Sequence, residues 1–407
     1  MEQYQGWADE RFGAVADAFA RNYADFPELG SAVTVFAGGR KVVELWGGIA
    51  DERTGRPWEA GTVVPVFSCA KGLVAVSVHL LAQRGLLDLD APVSRYWPEF
   101  ARHDPEQDGS AAQGSAKQIG NTRRAKEAIT CRMVLGHRAG LPALDAALSF
   151  EEIAAWEPVV RAIEEQRPLW EPGATYEYHG HVFGFLLGEV VRRITGLTPG
   201  AYFRREIGDP LGLSAWLGLP EAEHGRLARL AEAEGRRPMP GPEHLLTRIV
   251  TMNGALVFPG LDVPHGWNDP ALHAVELPGA GAVASATGLA GLYAAAVTGV
   301  ETGAGGRTER LLSPATVTDA IRELSSGAGF LGFDLGARWG SGVVLPSPSF
   351  RPMLGARSFG NDGAGGQFAF GDDEFGIGFA YTANRMIGHG DARADRLVEA
   401  VRVSLGG

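Results

Sequence analysis

The chain has 407 residues, of which 45% are hydrophobic and 21% are charged. This length and composition indicate one large globular domain or two interleaved ones, and they exclude a disordered chain, a collagen-like repeat and a coiled coil. The 37 basic and 48 acidic residues give a net charge of -11. Because nucleic acids and anionic membranes attract clustered positive charge, this balance disfavours both as partners.

The cysteine content and the first residues indicate the compartment. Cys69 and Cys131 are too few for a disulfide framework, and no Cys/His spacing resembles a zinc site. The first residues, MEQYQGWADERFGAV, lack the basic and then apolar order of a signal peptide. The most apolar stretch, residues 63–82, is interrupted by Lys71 and His79, which disfavours a membrane-spanning helix. We therefore predict a cytoplasmic protein.

Hydrophobic periodicity and turn residues predict the elements in chain order. The predicted helices are Asp9–Tyr23, Ser68–Arg84, Phe150–Gln166, Gly180–Ile194, Leu289–Thr298 and Asp391–Val403. The predicted strands are Ser31–Ala37, Lys41–Gly47, Trp339–Leu345, Gln367–Gly371 and Gly376–Thr382. The segment His103–Arg124 is polar and rich in small residues, and it is predicted to be a surface loop. Strands at both ends predict an α/β domain from residues 1–85 and 278–407, interrupted by a mostly helical domain, residues 86–277.

The segment Ser68-Cys69-Ala70-Lys71 is the first candidate for chemistry. On a helix that begins at Ser68, residues i and i+3 share a face, so the hydroxyl and the amine can touch. A partly buried lysine has a lowered pKa and can act as a base, which would activate the serine as a nucleophile without a histidine. The alternative interpretation, an N-cap serine and a solvated lysine, stays open on these four residues alone.

Other motifs for catalysis or cofactor binding are missing or incomplete in the sequence. The chain contains no G-x-S-x-G nucleophile elbow and no Walker A loop. Residues 279–284, GAGAVA, fit a loose G-x-G-x-x-A, but no clear strand precedes them, so no dinucleotide site is predicted. His179 and His181 flank a glycine without a third metal ligand nearby. We predict no metal and no organic cofactor.

Several separated segments, in the correct order, resemble the serine β-lactamase-like family, particularly its class C and family VIII esterase branches. They are SCAK with the later GLLDLDAPVSRYWPEF, then AITCRMVLGHRAGLP, WEPGATYEYHGHVFGFLLGEVVRRITG and SFGNDGAGG. The resemblance extends from about Ser31 to about Arg402, most of the chain. It implies a β-lactamase/transpeptidase-like fold, an α/β/α sandwich with an antiparallel sheet and an inserted, mostly helical domain.

The resemblance also implies the roles of individual residues. Ser68 would be the nucleophile, Lys71 its partner, and Tyr178 the tyrosine that shares the proton with the lysine and passes it to the leaving group. The motif register favours Tyr178 over Tyr176 for that role. The backbone N–H groups of Ser68 and Ala364 would form the oxyanion hole. The residues expected to contact substrate are Asn361, Gly363, His179 and Gly180.

Two departures from the family pattern bear on the substrate. Gly180 stands where the family has an asparagine, so a substrate-amide contact is missing or is supplied elsewhere, for instance by His179 or His181. Asn361 begins the segment that aligns with the Lys-Thr-Gly of β-lactamases, so the cation for a penicillin carboxylate is missing unless Arg357 supplies it.

The resemblance implies a carboxylesterase on small esters, with a small-molecule ester or amide as the substrate. A transacylase that passes the acyl group to an amine or alcohol in natural-product synthesis is the alternative. A β-lactamase or DD-peptidase is disfavoured by the departure at Asn361, and an inactive binding module by the presence of Ser68, Lys71 and Tyr178.

Overall fold

The computed structural model describes residues 4–102, 122–232, 238–301, 306–388 and 390–406. The described residues form thirteen α-helices, α1 to α13 in chain order: Gly13–Asp25, Ala70–Gln83, Thr122–Glu127, Cys131–Leu135, Phe150–Ala154, Glu157–Glu165, Val182–Thr195, Pro199–Phe203, Leu245–Thr251, Pro270–Ala274, Ala286–Val297, Pro314–Ala320 and Arg393–Leu405. They also form fifteen strands, β1 to β15: Tyr4–Ala8, Gly30–Ala37, Arg40–Asp51, Arg56–Pro57, Val64–Phe67, Ala215–Leu217, Ala231–Glu232, Ala282–Ala284, Ser325–Ser326, Arg338–Trp339, Val344–Leu345, Ser358–Asp362, Phe368–Asp372, Ile377–Ala383 and Arg385–Met386. Most of the predicted loop 103–124 lies outside the described residues, and its last three belong to α3.

The main sheet is antiparallel and combines strands from both ends of the chain. Its order is β1-β3-β2-β14-β13-β12-β11-β10-β9, and the short β4 pairs with β3 as the tenth strand. At its centre β2 pairs with β14 in a register that runs from Ser31 opposite Ala383 to Ala37 opposite Ile377. The sheet therefore joins the first and the last parts of the sequence.

Alternating side chains on the central strands divide the core between two helix layers. Val33, Val35 and Phe379 belong to the same apolar cluster as residues of α1 and α13. On the opposite face α11 packs against β2, β13 and β14, and a Cβ at Gly378 would lie 2.4 Å from the carbonyl oxygen of Ala290. Because side chains of a strand point to alternate faces, this pattern gives the α/β/α layering that the resemblance implies.

Helix α2 lies in the interior between the sheet and the helical part of the chain. It contacts α7 and α8 as well as β12 and α12, and residues 70–81 are all buried. A helix that is covered on every side needs apolar residues around its whole circumference, which accounts for the sequence LVAVSVHLL. The small sheet β5-β8-β6 leads into this helix, because β5 ends at Phe67.

Two predicted elements are each divided in the structure, and the predictions of single elements were wrong. The predicted helix Phe150–Gln166 forms α5 and α6, because Trp156 adopts a left-handed φ of 67° between them. The predicted strand Trp339–Leu345 forms the antiparallel pair β10 and β11, joined by a turn in which Gly342 has a φ of 81°. The short strands β5 and β8 were not predicted.

The proposed domain limits at residues 85/86 and 277/278 stay a prediction. Among the described residues, none of the helices combines the length and the apolar character that crossing a membrane requires.

Candidate active site

Ser68 lies in a sharp turn between β5 and α2. Phe67, the last residue of β5, has a left-handed φ of 47°, and α2 begins only at Ala70. A left-handed backbone costs a residue with a side chain roughly 1–2 kcal/mol. The Phe67 ring packs against Trp267, with ring centroids 4.6 Å apart, which holds this backbone in place. The turn leaves Ser68 half-buried at the start of a buried helix.

Three side chains predicted to act together are brought into contact. The Ser68 hydroxyl oxygen lies 2.7 Å from the Tyr178 hydroxyl and 3.3 Å from Nζ of Lys71. Nζ of Lys71 also donates a hydrogen bond to the carbonyl oxygen of Gly279 at 2.6 Å, and it lies 4.7 Å from the centroid of the Tyr178 ring. The serine is therefore within reach of one amine and one phenol.

Burial sets the protonation states of this group. Burial lowers the pKa of Lys71 to about 7, although the nearby Asp362 carboxylate opposes the shift. Burial raises the pKa of Tyr178, and the hydrogen bond to Ser68 opposes that change. Near neutral pH Lys71 is therefore available as a neutral base, and Tyr178 keeps its proton for donation.

The two histidines that follow Tyr178 differ in their free polar atoms. His179 is buried, its Nδ1–H donates to the Glu177 carbonyl at 2.7 Å, and its Nε2 accepts from the Leu141 N–H at 3.2 Å. Burial lowers the pKa of His179 to about 4. His181 contacts the carbonyl of Val250 through Nε2, and its Nδ1 has no partner among the described residues. Both ring nitrogens of His179 are therefore engaged, and a contact of His179 or His181 with substrate stays a prediction.

Gly180 fits a close approach of two chain segments. A Cβ at this position would lie 2.6 Å from the carbonyl oxygen of Ile249 at the middle of α9. An asparagine side chain, as the family pattern has here, would therefore require the α9 backbone to move. This packing explains why a glycine replaces it, and the predicted substrate contact at Gly180 stays a prediction.

The glycine-rich turn after β12 lies against β5. A Cβ at Gly363 would lie 2.4 Å from the carbonyl oxygen of Val66, two residues before the serine. Gln367 holds the turn, because its carbonyl accepts from Gly363 N–H at 2.8 Å and its side chain accepts from Gly365 N–H at 3.0 Å. Ala364 is exposed at the tip of this turn. Its N–H as the second oxyanion-hole donor stays a prediction.

Asn361 has its polar atoms engaged within the protein. Its Oδ1 accepts from the Tyr293 hydroxyl at 3.0 Å, and its Nδ2 donates to the Gly342 carbonyl at 3.3 Å. Its own carbonyl accepts from the thiol of Cys69 at 3.2 Å. Asn361 thus ties β12 to the first turn of α2, and this arrangement does not favour the predicted substrate contact.

The cations near this strand are paired with carboxylates. Arg357 forms an ion pair with Asp373, and Arg351 pairs with Asp362 at 2.9 Å. Arg357 therefore does not supply the cation that is missing at position 361. Within the described ranges, no three His, Cys, Asp or Glu residues are grouped so that they could hold a metal ion.

Sequence reasoning missed two contributions to the site, one from a backbone carbonyl and one from a side chain. The Gly279 carbonyl that accepts from Lys71 lies 208 residues away in the chain, and no motif in its segment predicts this contact. His137 is the histidine of the segment AITCRMVLGHRAGLP, which carried part of the resemblance but no assigned role. Its ring centroid lies 5.1 Å from that of Tyr178.

Comparisons with known proteins bear on the family and the fold of the chain. A model of the Beta-lactamase family matches residues 19–403. The Esterase/beta-lactamase LipL of Mycobacterium tuberculosis is 30% identical over 406 residues, covering 94% of this chain and 83% of that protein. The crystal structure of a family VIII carboxylesterase is 30% identical, has a TM-score of 0.82, and covers 98% of this chain and 99% of its own. The Acyltransferase calJ of Penicillium decumbens is 30% identical over 170 residues, 39% of this chain and 38% of that protein. These matches confirm the β-lactamase/transpeptidase-like fold.

Proposed function

The chain belongs to the Beta-lactamase family and is a serine hydrolase, and from this premise we propose that it is a carboxylesterase that acts on small esters through an acyl-Ser68 intermediate. The observation that carries the proposal is the contact of the Ser68 hydroxyl with both Tyr178 and Lys71. The similar structure of a family VIII carboxylesterase supports the choice of an ester over an amide.

Acylation uses these three side chains in turn. Neutral Lys71 takes the proton of the Ser68 hydroxyl, and the serine oxygen attacks the ester carbonyl carbon. The N–H groups of Ser68 and Ala364 would stabilise the negative charge that develops on the carbonyl oxygen. Tyr178 gives its proton to the departing alkoxide, and the proton held by Lys71 restores the phenol. The acyl group then remains as an ester on Ser68, and the alcohol leaves.

Deacylation repeats the same proton transfers with another nucleophile. Water attacks the acyl-Ser68 carbonyl, gives up a proton to the Lys71 and Tyr178 pair, and releases a carboxylic acid and the free serine. If an amine or alcohol takes the place of water, the same steps make the protein a transacylase. The match to a relative named as an acyltransferase supports this second candidate. The engaged Asn361 and Arg357 argue against a β-lactamase.

The test is intact-protein mass spectrometry after brief exposure to p-nitrophenyl acetate, together with release of nitrophenol. We expect one acetyl adduct on the wild type and none on Ser68→Ala. Ser77→Ala is the matched control, because Ser77 lies in the helix that follows Ser68 and its hydroxyl donates to the Leu73 carbonyl. An adduct that persists in Ser68→Ala contradicts the proposal. Adding amines or alcohols to the same reaction then separates hydrolysis from transacylation.

A further inference from the structure

We propose that His137 is a positioning residue that fixes the Tyr178 phenol for proton transfer. The inference rests on the proposed function, since it assigns to His137 a part in the same reaction. It starts from hydrogen bonds between His137 and the backbone on both sides of Tyr178. Neither the sequence motifs nor the comparisons assign a role to these hydrogen bonds.

His137 binds the N–H groups of the two residues that flank Tyr178. Its carbonyl oxygen accepts from the N–H of Glu177 at 3.1 Å, and its ring nitrogen Nδ1 accepts from the N–H of His179 at 3.1 Å. The N–H of Tyr178 itself is bonded to the Glu177 side chain at 3.1 Å. One residue therefore determines where the backbone enters and leaves Tyr178.

The backbone conformation of His137 allows it to accept both hydrogen bonds. The residue follows the last turn of α4, where its N–H donates to the Val134 carbonyl at 3.0 Å. It adopts a left-handed φ of 61°, which directs its carbonyl toward the Tyr178 segment. This conformation costs a residue with a side chain roughly 1–2 kcal/mol. A glycine would avoid that cost, but it would lack the second acceptor.

The acceptor role requires the neutral imidazole with its hydrogen on Nε2. A protonated ring would place an N–H at Nδ1 opposite the N–H of His179, and the hydrogen bond would be lost. Burial holds the pKa of His137 well below its ordinary value, and His179 and Lys71 lower it further. The neutral form is thus secured by the surroundings.

The His137 ring also packs beside the Tyr178 phenol. The effect of losing this packing must therefore be distinguished from the effect of losing the hydrogen bond at Nδ1. The ring centroid of His137 lies 4.7 Å from that of Trp339 and 5.3 Å from that of Phe183. Two substitutions make the separation. His137→Asn keeps an acceptor at the position of Nδ1 and tolerates a left-handed backbone, whereas His137→Leu keeps an apolar side chain and has no acceptor.

The experiment measures kcat and KM for ethyl acetate, whose alkoxide needs a proton to leave, in both variants, each corrected for its folded fraction from urea unfolding. We expect His137→Leu to lower kcat by about 100-fold with little change in KM, as a misplacement near 1 Å would. His137→Asn is expected to stay within about tenfold of the wild type. Equal losses in both variants, or a His137→Leu enzyme with wild-type kcat, overturn the proposal.

A double-variant cycle with Tyr178→Phe tests whether His137 acts through the phenol. If it does, adding His137→Leu to Tyr178→Phe lowers kcat only about threefold more, because the group being positioned is already gone. Losses that multiply indicate a general structural role and overturn the proposal. Failure of the proposed function is distinct, since the wild type would then form no acetyl adduct on Ser68 at all.

Discussion

The Lys71 amine lies closer to the carbonyl oxygen of Gly279 than to the hydroxyl of Ser68. The two distances are 2.6 and 3.3 Å. A neutral amine that donates one hydrogen to the carbonyl can direct its lone pair toward Ser68. The carbonyl thus orients the base, and because it is uncharged it does not hold the amine in its protonated form as a carboxylate would.

The first prediction concerns the pH dependence of activity. Because burial lowers the pKa of Lys71 to about 7, kcat/KM for p-nitrophenyl acetate should rise with pH and level off above an apparent pKa near 7. Steady-state kinetics between pH 5 and 9 measure this profile. Lys71→Arg, which stays charged at every pH, should lose roughly 100-fold or more in kcat/KM. A profile that is flat from pH 5 to 9 contradicts the assignment of Lys71 as the base.

The same lysine should make stability depend on pH. Its pKa is about 7 in the folded state and 10.5 as its ordinary value, so between these values the unfolded state binds more protons. The free energy of unfolding therefore gains a contribution from Lys71 that rises between pH 7 and 10 by at most ~1.4 kcal/mol per pH unit.

Urea unfolding of the wild type and Lys71→Met isolates this contribution. The difference in the free energy of unfolding should be constant below pH 7 and should shift in favour of the wild type up to pH 10. Lys71→Met is expected to be the more stable protein at pH 6, since it removes a charge from the interior. A difference that does not vary with pH shows that the lysine is not desolvated.

A third prediction separates the two tyrosines of the YEY segment. Tyr178→Phe removes the hydroxyl that contacts Ser68, and kcat/KM should fall by roughly 100- to 10,000-fold, as for loss of a general acid. Tyr176→Phe is the matched control, because the Tyr176 hydroxyl donates to the Gly327 carbonyl at 2.6 Å and makes no contact with Ser68. Its kcat/KM should stay within about threefold of the wild type. Equal losses in the two variants contradict the motif register.

A fourth prediction concerns the turn after β12. In Gly363→Ala the new Cβ meets the Val66 carbonyl oxygen at 2.4 Å, so the turn must move away from β5. We expect a loss of about 1–3 kcal/mol in the free energy of unfolding and, as the N–H of Ala364 moves, roughly 100-fold in kcat.

Gly61→Ala provides the control for this substitution. A Cβ there meets nothing within 4 Å, and the free energy of unfolding should change by less than about 0.5 kcal/mol. Thermal denaturation and steady-state kinetics on both variants make the comparison. A Gly363→Ala enzyme as active as Gly61→Ala would mean that the turn does not supply an oxyanion-hole donor.

Local patterns in the sequence predicted most of the long elements, and the family resemblance implied the candidate catalytic residues. Helices α1, α2, α7, α11 and α13 were predicted within a few residues, because each has a continuous apolar face or interior. The i, i+3 spacing predicted the contact of Ser68 with Lys71, and the family resemblance implied that Tyr178 joins them. Trp156 could not be foreseen as a break, since its left-handed backbone depends on tertiary contacts, among them the indole hydrogen bond to Glu189 at 2.8 Å.

Local sequence patterns did not predict the hydrogen-bond and ion-pair partners of the candidate site residues. Asn361 was predicted to face substrate, yet its side chain bonds to Tyr293 and Gly342, which are distant in sequence. Arg357 was considered as a substitute cation, and its ion pair with Asp373 depends on how β12 and β13 are paired. The partner of each side chain depends on which segments pack together, and hydrophobic periodicity in the sequence does not carry that information.

The pairing of β2 with β14 also constrains how the protein is made. One edge of residues 31–37 pairs with the neighbouring strand β3, but the other edge pairs with residues 377–383, so the central sheet cannot close until those residues have left the ribosome. Contacts between such distant segments slow folding. Until β14 is made, the free edge of β2 stays unpaired and is prone to aggregate. We therefore expect the yield of folded protein on expression to depend strongly on chaperones and on temperature, although the protein buries many apolar residues.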